Sequence, residues 1–273
     1  MTRTKLVTTC ATTLFVALSL VACDQGSGSS FARKSTTTSS QQSPIDDGTS
    51  SNGEENELPD DADTGDTGDV TGQPAPALSA VDINAARTAL GSLPTRGFSP
   101  NVPKYDRNEF GKPWSDDVTV DGGHNGCDTR NDILARDLTD VEFKPAKRNC
   151  IVTKGKLNDP YTNTTIDFKR GRKSSDLIPI DHVVALGDAW YSGAYQWDAD
   201  RRRNFANDPI NLQATNRESN TQKSAKNAAE WLPPNTAYQC EYVGRQITIK
   251  STYGLSVTPA EKNAMEKVLA TCS

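Results

Sequence analysis

The chain contains few histidines, no closely spaced cysteine pair and, after its first 22 residues, no long apolar run. Its 273 residues include only two histidines, His124 and His182, and its six cysteines contain no Cys-x-x-Cys pair. The missing pair argues against a structural zinc site. After residue 22 no apolar run reaches the ~20 residues of a membrane-spanning helix. Any histidine-based chemistry must therefore use one or two side chains.

Residues 1–22 have the pattern of a signal peptide. A short basic start is followed by a nearly uncharged segment that is too short to span a membrane. It ends in Leu-Val-Ala-Cys at 20–23, which resembles the lipobox of bacterial lipoproteins. The resemblance implies lipidation of Cys23 and anchoring to the outer face of a bacterial cell membrane. An ordinary signal peptide followed by a chance cysteine is the alternative.

Residues 23–79 contain almost no apolar side chains from which a core could form. We interpret them as the lipidated Cys23 followed by a disordered acidic spacer. The spacer carries eleven acidic and two basic residues, which leaves 26 basic and 24 acidic residues in 80–273, a net charge of +2. The net charge of −5 for the whole chain therefore does not exclude a nucleic acid partner.

Residues 80–273 are long enough for one domain with a buried core. Their four cysteines are an even number, and outside the cytoplasm this favours two disulfides. Three pairings are possible. We prefer Cys127–Cys150 and Cys240–Cys272, because each joins neighbouring parts of the chain. A four-cysteine zinc site is the weaker alternative.

The stretch Ile180–Trp231 carries the residue types best suited to catalysis. An acid and a histidine adjoin at Asp181-His182, and an Asn-Leu-Gln follows about thirty residues later at 211–213. Asn220 and Lys223 then come at the start of a predicted helix. The order predicts strand, insert, strand and helix, with side chains that suit a phosphodiesterase site with one metal ion.

These motifs resemble those of the HNH endonucleases, and most closely a secreted branch, the DUF1524 group. The matching pieces are CDTRN at 127–131, IDHVVAL at 180–186, NDPINL at 207–212 and EWLPP at 230–234. The resemblance covers most of residues 101–272. It implies an α+β fold with a ββα-metal core of the HNH or His-Me finger type, with added helices and bracing disulfides.

The resemblance also implies roles for four residues. His182 would be the general base, because imidazole titrates near pH ~6.5. Asp181 and Asn220 would supply oxygen ligands to one divalent metal ion, Mg²⁺ or Mn²⁺. Asn211 would orient His182 through a hydrogen bond. Neighbouring strand residues point to opposite faces, so Asp181 and His182 can share a site only where the strand is irregular or ending.

Three basic residues are candidates for binding substrate phosphates. Lys223 is placed by the family spacing, and Arg130 and Arg201 could bind flanking phosphates. Arg130 could instead form a buried structural ion pair, and Arg201 could belong to a solvated helix face.

One departure from the family concerns a structural zinc. Many relatives place zinc-binding cysteines five and eight residues after the position of Asn211, where this chain has Asn216 and Ser219. We therefore expect no structural zinc, and we expect the disulfides to replace its bracing.

The predicted function is that of an extracellular endonuclease, anchored by lipid alone, metal-dependent and monomeric. It would hydrolyse nucleic acid, DNA in preference to RNA, with little sequence specificity. The alternative is a catalytically silent nuclease-like domain that acts as a cell-surface binding module. The presence of acid, base and both asparagines favours the enzyme.

Overall fold

The computed structural model describes residues 80–97, 99–145, 149–171 and 174–273, so the predicted signal peptide, Cys23 and the acidic spacer lie outside the described residues. Within these ranges the fold is α+β, as predicted. The α-helices are α1 (Ile83–Ser92), α2 (Thr129–Asp137), α3 (Leu186–Tyr191), α4 (Ala199–Asn207), α5 (Arg217–Lys223), α6 (Gln239–Tyr253) and α7 (Pro259–Leu269). The strands are β1 (Leu138–Phe143), β2 (Val152–Asp159), β3 (Thr164–Lys169), β4 (Ile180–His182) and β5 (Leu212–Ala214). Among the helices described, none is long and apolar enough to cross a membrane.

Three strands form an antiparallel sheet in the order β1-β2-β3. Burial alternates along β2, as expected for a strand with one face on a core. That face packs with α2 in a small core containing Ile133, Leu134 and Leu157. The sequence predicts β2 and β3 but not β1.

Strands β4 and β5 form a second, two-stranded antiparallel pair, in which His182 lies opposite Leu212. The insert between them contains α3 and α4, and α5 begins three residues after β5. The larger hydrophobic core lies on this side and includes Val183, Phe205 and Tyr242. The two strands and α5 thus bring the predicted catalytic stretch together.

Both disulfides have the preferred pairing, Cys127–Cys150 and Cys240–Cys272. The first joins the chain before α2 to the chain before β2. The second joins the first turn of α6 to the residues after α7. Helix α7 begins with a capping box between Thr258 and Glu261.

Two predicted helices differ from the structure. Residues 188–206, predicted as one helix, are divided between α3 and α4, because Gly193 takes a φ of +133° that no helix allows. The helix predicted to begin at Ser219 and run to Trp231 begins at Arg217, with Asn216 as its cap. It ends at Lys223, because Ser224 has a φ of +48°.

Candidate active site

His182 ends β4 and is 7% exposed. Its Nε2 lies 2.8 Å from the carbonyl oxygen of Ala206. A carbonyl can only accept, so Nε2 carries the hydrogen, and a neutral ring has its lone pair on Nδ1. Burial lowers the pKa of His182 to about 3, with further lowering by the Arg107 and Lys223 charges. His182 is therefore a neutral imidazole of fixed tautomer at ordinary pH.

The indole of Trp114 stacks on this imidazole, with ring centroids 6.1 Å apart and planes 13° from parallel. Trp114 belongs to the segment between α1 and α2, far from His182 in sequence. The ring of His182 is thus held on one side by the Ala206 carbonyl and covered by Trp114.

Asp181 faces different surroundings from its neighbour. Its Oδ2 accepts a hydrogen bond from the Tyr161 hydroxyl at 2.6 Å, and its Oδ1 lies 2.9 Å from the Lys223 ammonium. Lys223 is completely buried and also donates to the carbonyl of His182 at 2.8 Å. The phosphate-binding role predicted for Lys223 does not agree with this geometry, because its charge is used inside the domain to hold α5 against β4.

Asn211 is fully buried and contacts the chain just after His182. Its Oδ1 accepts from the N–H of Val184 at 2.8 Å, and its Nδ2 donates to the carbonyl of the same residue at 3.3 Å. The predicted hydrogen bond to His182 is replaced by this pair. Asn211 therefore fixes the backbone that leaves β4, and it acts on His182 only through that backbone.

Helix α5 carries one of the two oxygen donors expected to bind a metal, Asn220. Asn220 lies one turn before Lys223 and therefore on the same helix face, and Lys223 contacts Asp181. In the part of the chain that the structure describes, the half-buried Asn220 side chain makes no hydrogen bond, and no group of three or more His, Cys, Asp or Glu side chains suits a metal. An amide and a carboxylate fit a hard cation such as Mg²⁺ in donor type. Asp181 offers its remaining lone pairs, with the Lys223 charge beside them.

The two arginines predicted to bind flanking phosphates contact the protein. Arg130 donates to the carbonyls of Ser175 and Ile178, both at 3.1 Å. Arg201 donates to the carbonyl of Tyr253 at 2.7 Å and lies over the Trp197 ring. These two carbonyl contacts give Arg130 a structural role. Arg201 is exposed, as a solvated helix face implies, but its guanidinium also contacts the protein.

The bracing of α5 comes from a buried aspartate. Asp159, 1% exposed, accepts five hydrogen bonds, including those from Thr215 Oγ1 at 2.7 Å and from the Asn216 side chain. The Asn216 amide also donates to Ser219 Oγ at 3.0 Å. This network links the two positions where many relatives have zinc ligands. The disulfides lie elsewhere, so the expectation that they replace the local bracing was wrong.

Sequence reasoning missed the aromatic and backbone partners of the site. In the sequence Trp114 is one of two aromatic residues in a loop-like stretch, nothing singles out Tyr161, and the Ala206 carbonyl carries no side-chain signal. Residue type does not show which distant ring covers a histidine, so these contacts required the folded chain.

Residues 128–268 match the family described as GmrSD restriction endonucleases, C-terminal domain. The chain belongs to this family. An uncharacterized secreted protein of Arthroderma benhamiae (strain ATCC MYA-4681 / CBS 112371) is 37% identical over 207 residues, which are 74% of this chain and 94% of that protein. No solved structure matches the chain.

Membership of the GmrSD C-terminal family makes this a nuclease-type domain and suggests endonuclease activity on nucleic acid. The family match includes Asp181, His182, Asn211 and Asn220. Trp114 lies before the matched residues, in the segment that covers His182.

Proposed function

We propose that the chain is an extracellular endonuclease that hydrolyses phosphodiester bonds of nucleic acid, DNA in preference to RNA, with His182 as general base. The observation that carries this proposal is the geometry of His182. Its Nε2 is fixed on the Ala206 carbonyl, and within the described residues no hydrogen bond reaches Nδ1. Nδ1 is therefore the atom that can take a proton from an attacking water.

The low pKa of His182 describes the protein without substrate. Burial and the Arg107 charge both disfavour the imidazolium. A phosphodiester anion beside the ring would act in the opposite direction and raise the pKa towards its usual value. The hydrogen bond to Ala206 would also stabilise the ring once it is protonated. Substrate binding would thus make His182 a stronger base where the base is needed.

Strands β4 and β5 with α5 are, in this proposal, the ββα core of an HNH-type nuclease within a domain spanning residues 80–273. One Mg²⁺ or Mn²⁺ would be held by Asp181 and Asn220. When bound, it would neutralise charge on the phosphate and the leaving oxygen. The protein's own groups orient the base, shield it with Trp114 and hold α5 against β4 through Lys223.

The proposal is tested by incubating plasmid DNA, single-stranded DNA and RNA with the protein in Mg²⁺, Mn²⁺ or EDTA. We expect cleavage with a divalent metal and none with EDTA. His182→Ala should lose at least a hundredfold in rate. His124→Ala is the matched control, because its side chain is 64% exposed and contacts Asp117, and it should cleave normally. If the wild type, His182→Ala and His124→Ala all failed to cleave any substrate with either metal, the proposal that the protein is an enzyme would be rejected.

A catalytically silent, surface-binding domain is the second candidate. The observation in its favour is the buried Lys223, which neutralises Asp181 in place of a metal. In this case the protein would bind nucleic acid or another polymer without cutting it, and Mg²⁺ would not alter its melting temperature.

We further propose that the protein is a monomer that functions outside the cell, tethered by a lipid on Cys23. The secreted relative supports export but does not bear on the lipid. Mass spectrometry of the mature N-terminus tests the tether, because lipidation adds an acyl mass to a chain that begins at Cys23.

A further inference from the structure

Besides a metal ion, a nuclease site commonly uses basic side chains to bind the substrate phosphate, and the basic residues expected in that role here contact other parts of the protein. Lys223 is buried against Asp181, while Arg130 and Arg201 bind backbone carbonyls. Arg202 pairs with Glu109, and Arg203 pairs with Asp117 and Asp200. These contacts leave none of the five side chains free to bind a phosphate, so a basic residue without a protein partner, among the segments that surround His182, is the better candidate.

Arg107 begins a short 3-10 turn, Arg107–Phe110, that is anchored at two points. Before it, the Asp106 carboxylate accepts a hydrogen bond from the N–H of Asn108 at 2.9 Å. Within it, Glu109 accepts hydrogen bonds from Arg202 of α4 through both its carbonyl and its carboxylate. The turn is therefore fixed in place before any substrate binds.

The same turn adjoins the elements that hold His182. Phe110 is buried, with its ring centroid 6.2 Å from that of Phe205, and Phe205 precedes Ala206, whose carbonyl binds His182. Four residues after Phe110 comes Trp114, the ring stacked on His182. The segment from Arg107 to Trp114 thus contacts α4 through Phe110 and the imidazole of His182 through Trp114.

Arg107 is exposed, and within the described ranges its guanidinium makes no hydrogen bond or ion pair. Its positive charge nevertheless reaches His182, where it opposes the imidazolium. An unpaired guanidinium on a fixed turn, in the segment that also carries the ring stacked on His182, is a favourable arrangement for an anion. A guanidinium can donate two parallel hydrogen bonds to phosphate oxygens.

We infer that Arg107 binds non-bridging oxygens of the phosphate that is cleaved at His182. This inference rests on the proposed function and names the group that holds its substrate. Trp114 and Arg107 would then be supplied by one segment, the first covering the base and the second holding the phosphate.

The test compares Arg107→Ala, Arg107→Lys and Lys112→Ala. Lys112 is a matched control, because it is another exposed cation of the same segment. We expect Arg107→Ala to lower kcat/KM at least tenfold, and Arg107→Lys to recover only part of the loss because it cannot bind bidentately. Lys112→Ala should stay within about twofold of the wild type in kcat/KM and in oligonucleotide binding.

Binding of a labelled oligonucleotide separates this inference from the proposed function. On the His182→Ala background, Arg107→Ala should weaken binding and reduce the slope of log Kd against log salt by about one. If the wild type cleaves and Arg107→Ala cleaves and binds equally well, the inference fails and the proposed function stands. The same holds if Lys112→Ala loses as much activity and binding as Arg107→Ala. An inert wild type that binds through Arg107 rejects cleavage and keeps the phosphate contact. Absence of both cleavage and binding rejects both.

Discussion

The Lys223 ammonium lies 2.9 Å from Asp181 Oδ1 and 2.8 Å from the carbonyl of His182, and it has no exposure to solvent. The contact joins the end of α5 to the last two residues of β4. It puts a positive charge where the family resemblance implies a metal, and it gives the domain an internal partner for Asp181.

Replacement of Lys223 by methionine should therefore affect stability first. Lys223→Met leaves the buried Asp181 carboxylate without its cation, and we expect a loss of about 3–5 kcal/mol in the free energy of unfolding. Denaturant titration measures the loss. The double variant Asp181→Asn with Lys223→Met removes both charges and should recover part of the stability. An unchanged single variant would contradict a structural role for Lys223.

The Asp159 network should be essential to the position of α5. Asp159→Ala removes five hydrogen bonds and leaves the buried Thr215 hydroxyl and the partly buried donors of Asn216 without their acceptor, so a loss of about 3 kcal/mol is expected. Asp159→Asn, which keeps one acceptor, should lose less. Asp167→Ala on the exposed face of β3 is the control and should change the unfolding free energy by less than about 0.5 kcal/mol. Equal effects of Asp159→Ala and Asp167→Ala would reject the bracing role.

Asp132 should make stability depend on pH. Its pKa is raised to about 7 by burial, against a weaker lowering by the Asn125 hydrogen bond. Between about pH 4 and pH 7 the folded state binds a proton that the unfolded chain has released, so this contribution is greatest below pH 4 and is lost as pH rises through 7. The slope is at most about 1.4 kcal/mol per pH unit.

Asp132→Asn isolates this contribution, because an amide does not titrate here. The difference in unfolding free energy between wild type and variant should shift in favour of the variant as pH rises from 5 to 8. Denaturant titrations at several pH values measure it. A difference that stays constant over this range would show that Asp132 is already ionised in the folded protein.

The two disulfides should contribute separately. They close chain separations of 23 and 32 residues, and each should stabilise the fold by about 3 kcal/mol. The paired variants C127S/C150S and C240S/C272S test them by denaturant unfolding. Because the bridges brace different ends of the domain, their effects should add. A combined loss well below the sum would show that the two ends unfold together.

The sequence predicted much of the local structure for identifiable reasons. A turn at 158–160 with β-branched residues on both sides indicates β2 and β3. Thr258-Pro259 with Glu261 indicates the start of α7. Cysteine number and spacing favoured the observed pairing. The break at Gly193 and the short α5 were missed, because both depend on a positive φ that these sequences permit but do not require.

The sequence by itself determined which chemical groups the site could use: one imidazole at His182, an acid beside it and asparagines at the family spacings. The tertiary structure alone decided how those groups are used. In the folded chain the buried Lys223 pairs with Asp181, Asn211 hydrogen-bonds to the backbone of Val184, and Trp114 stacks on His182. The reason is that desolvation, ion pairing and ring packing depend on which distant segments meet, and residue type and spacing along one stretch do not specify those meetings.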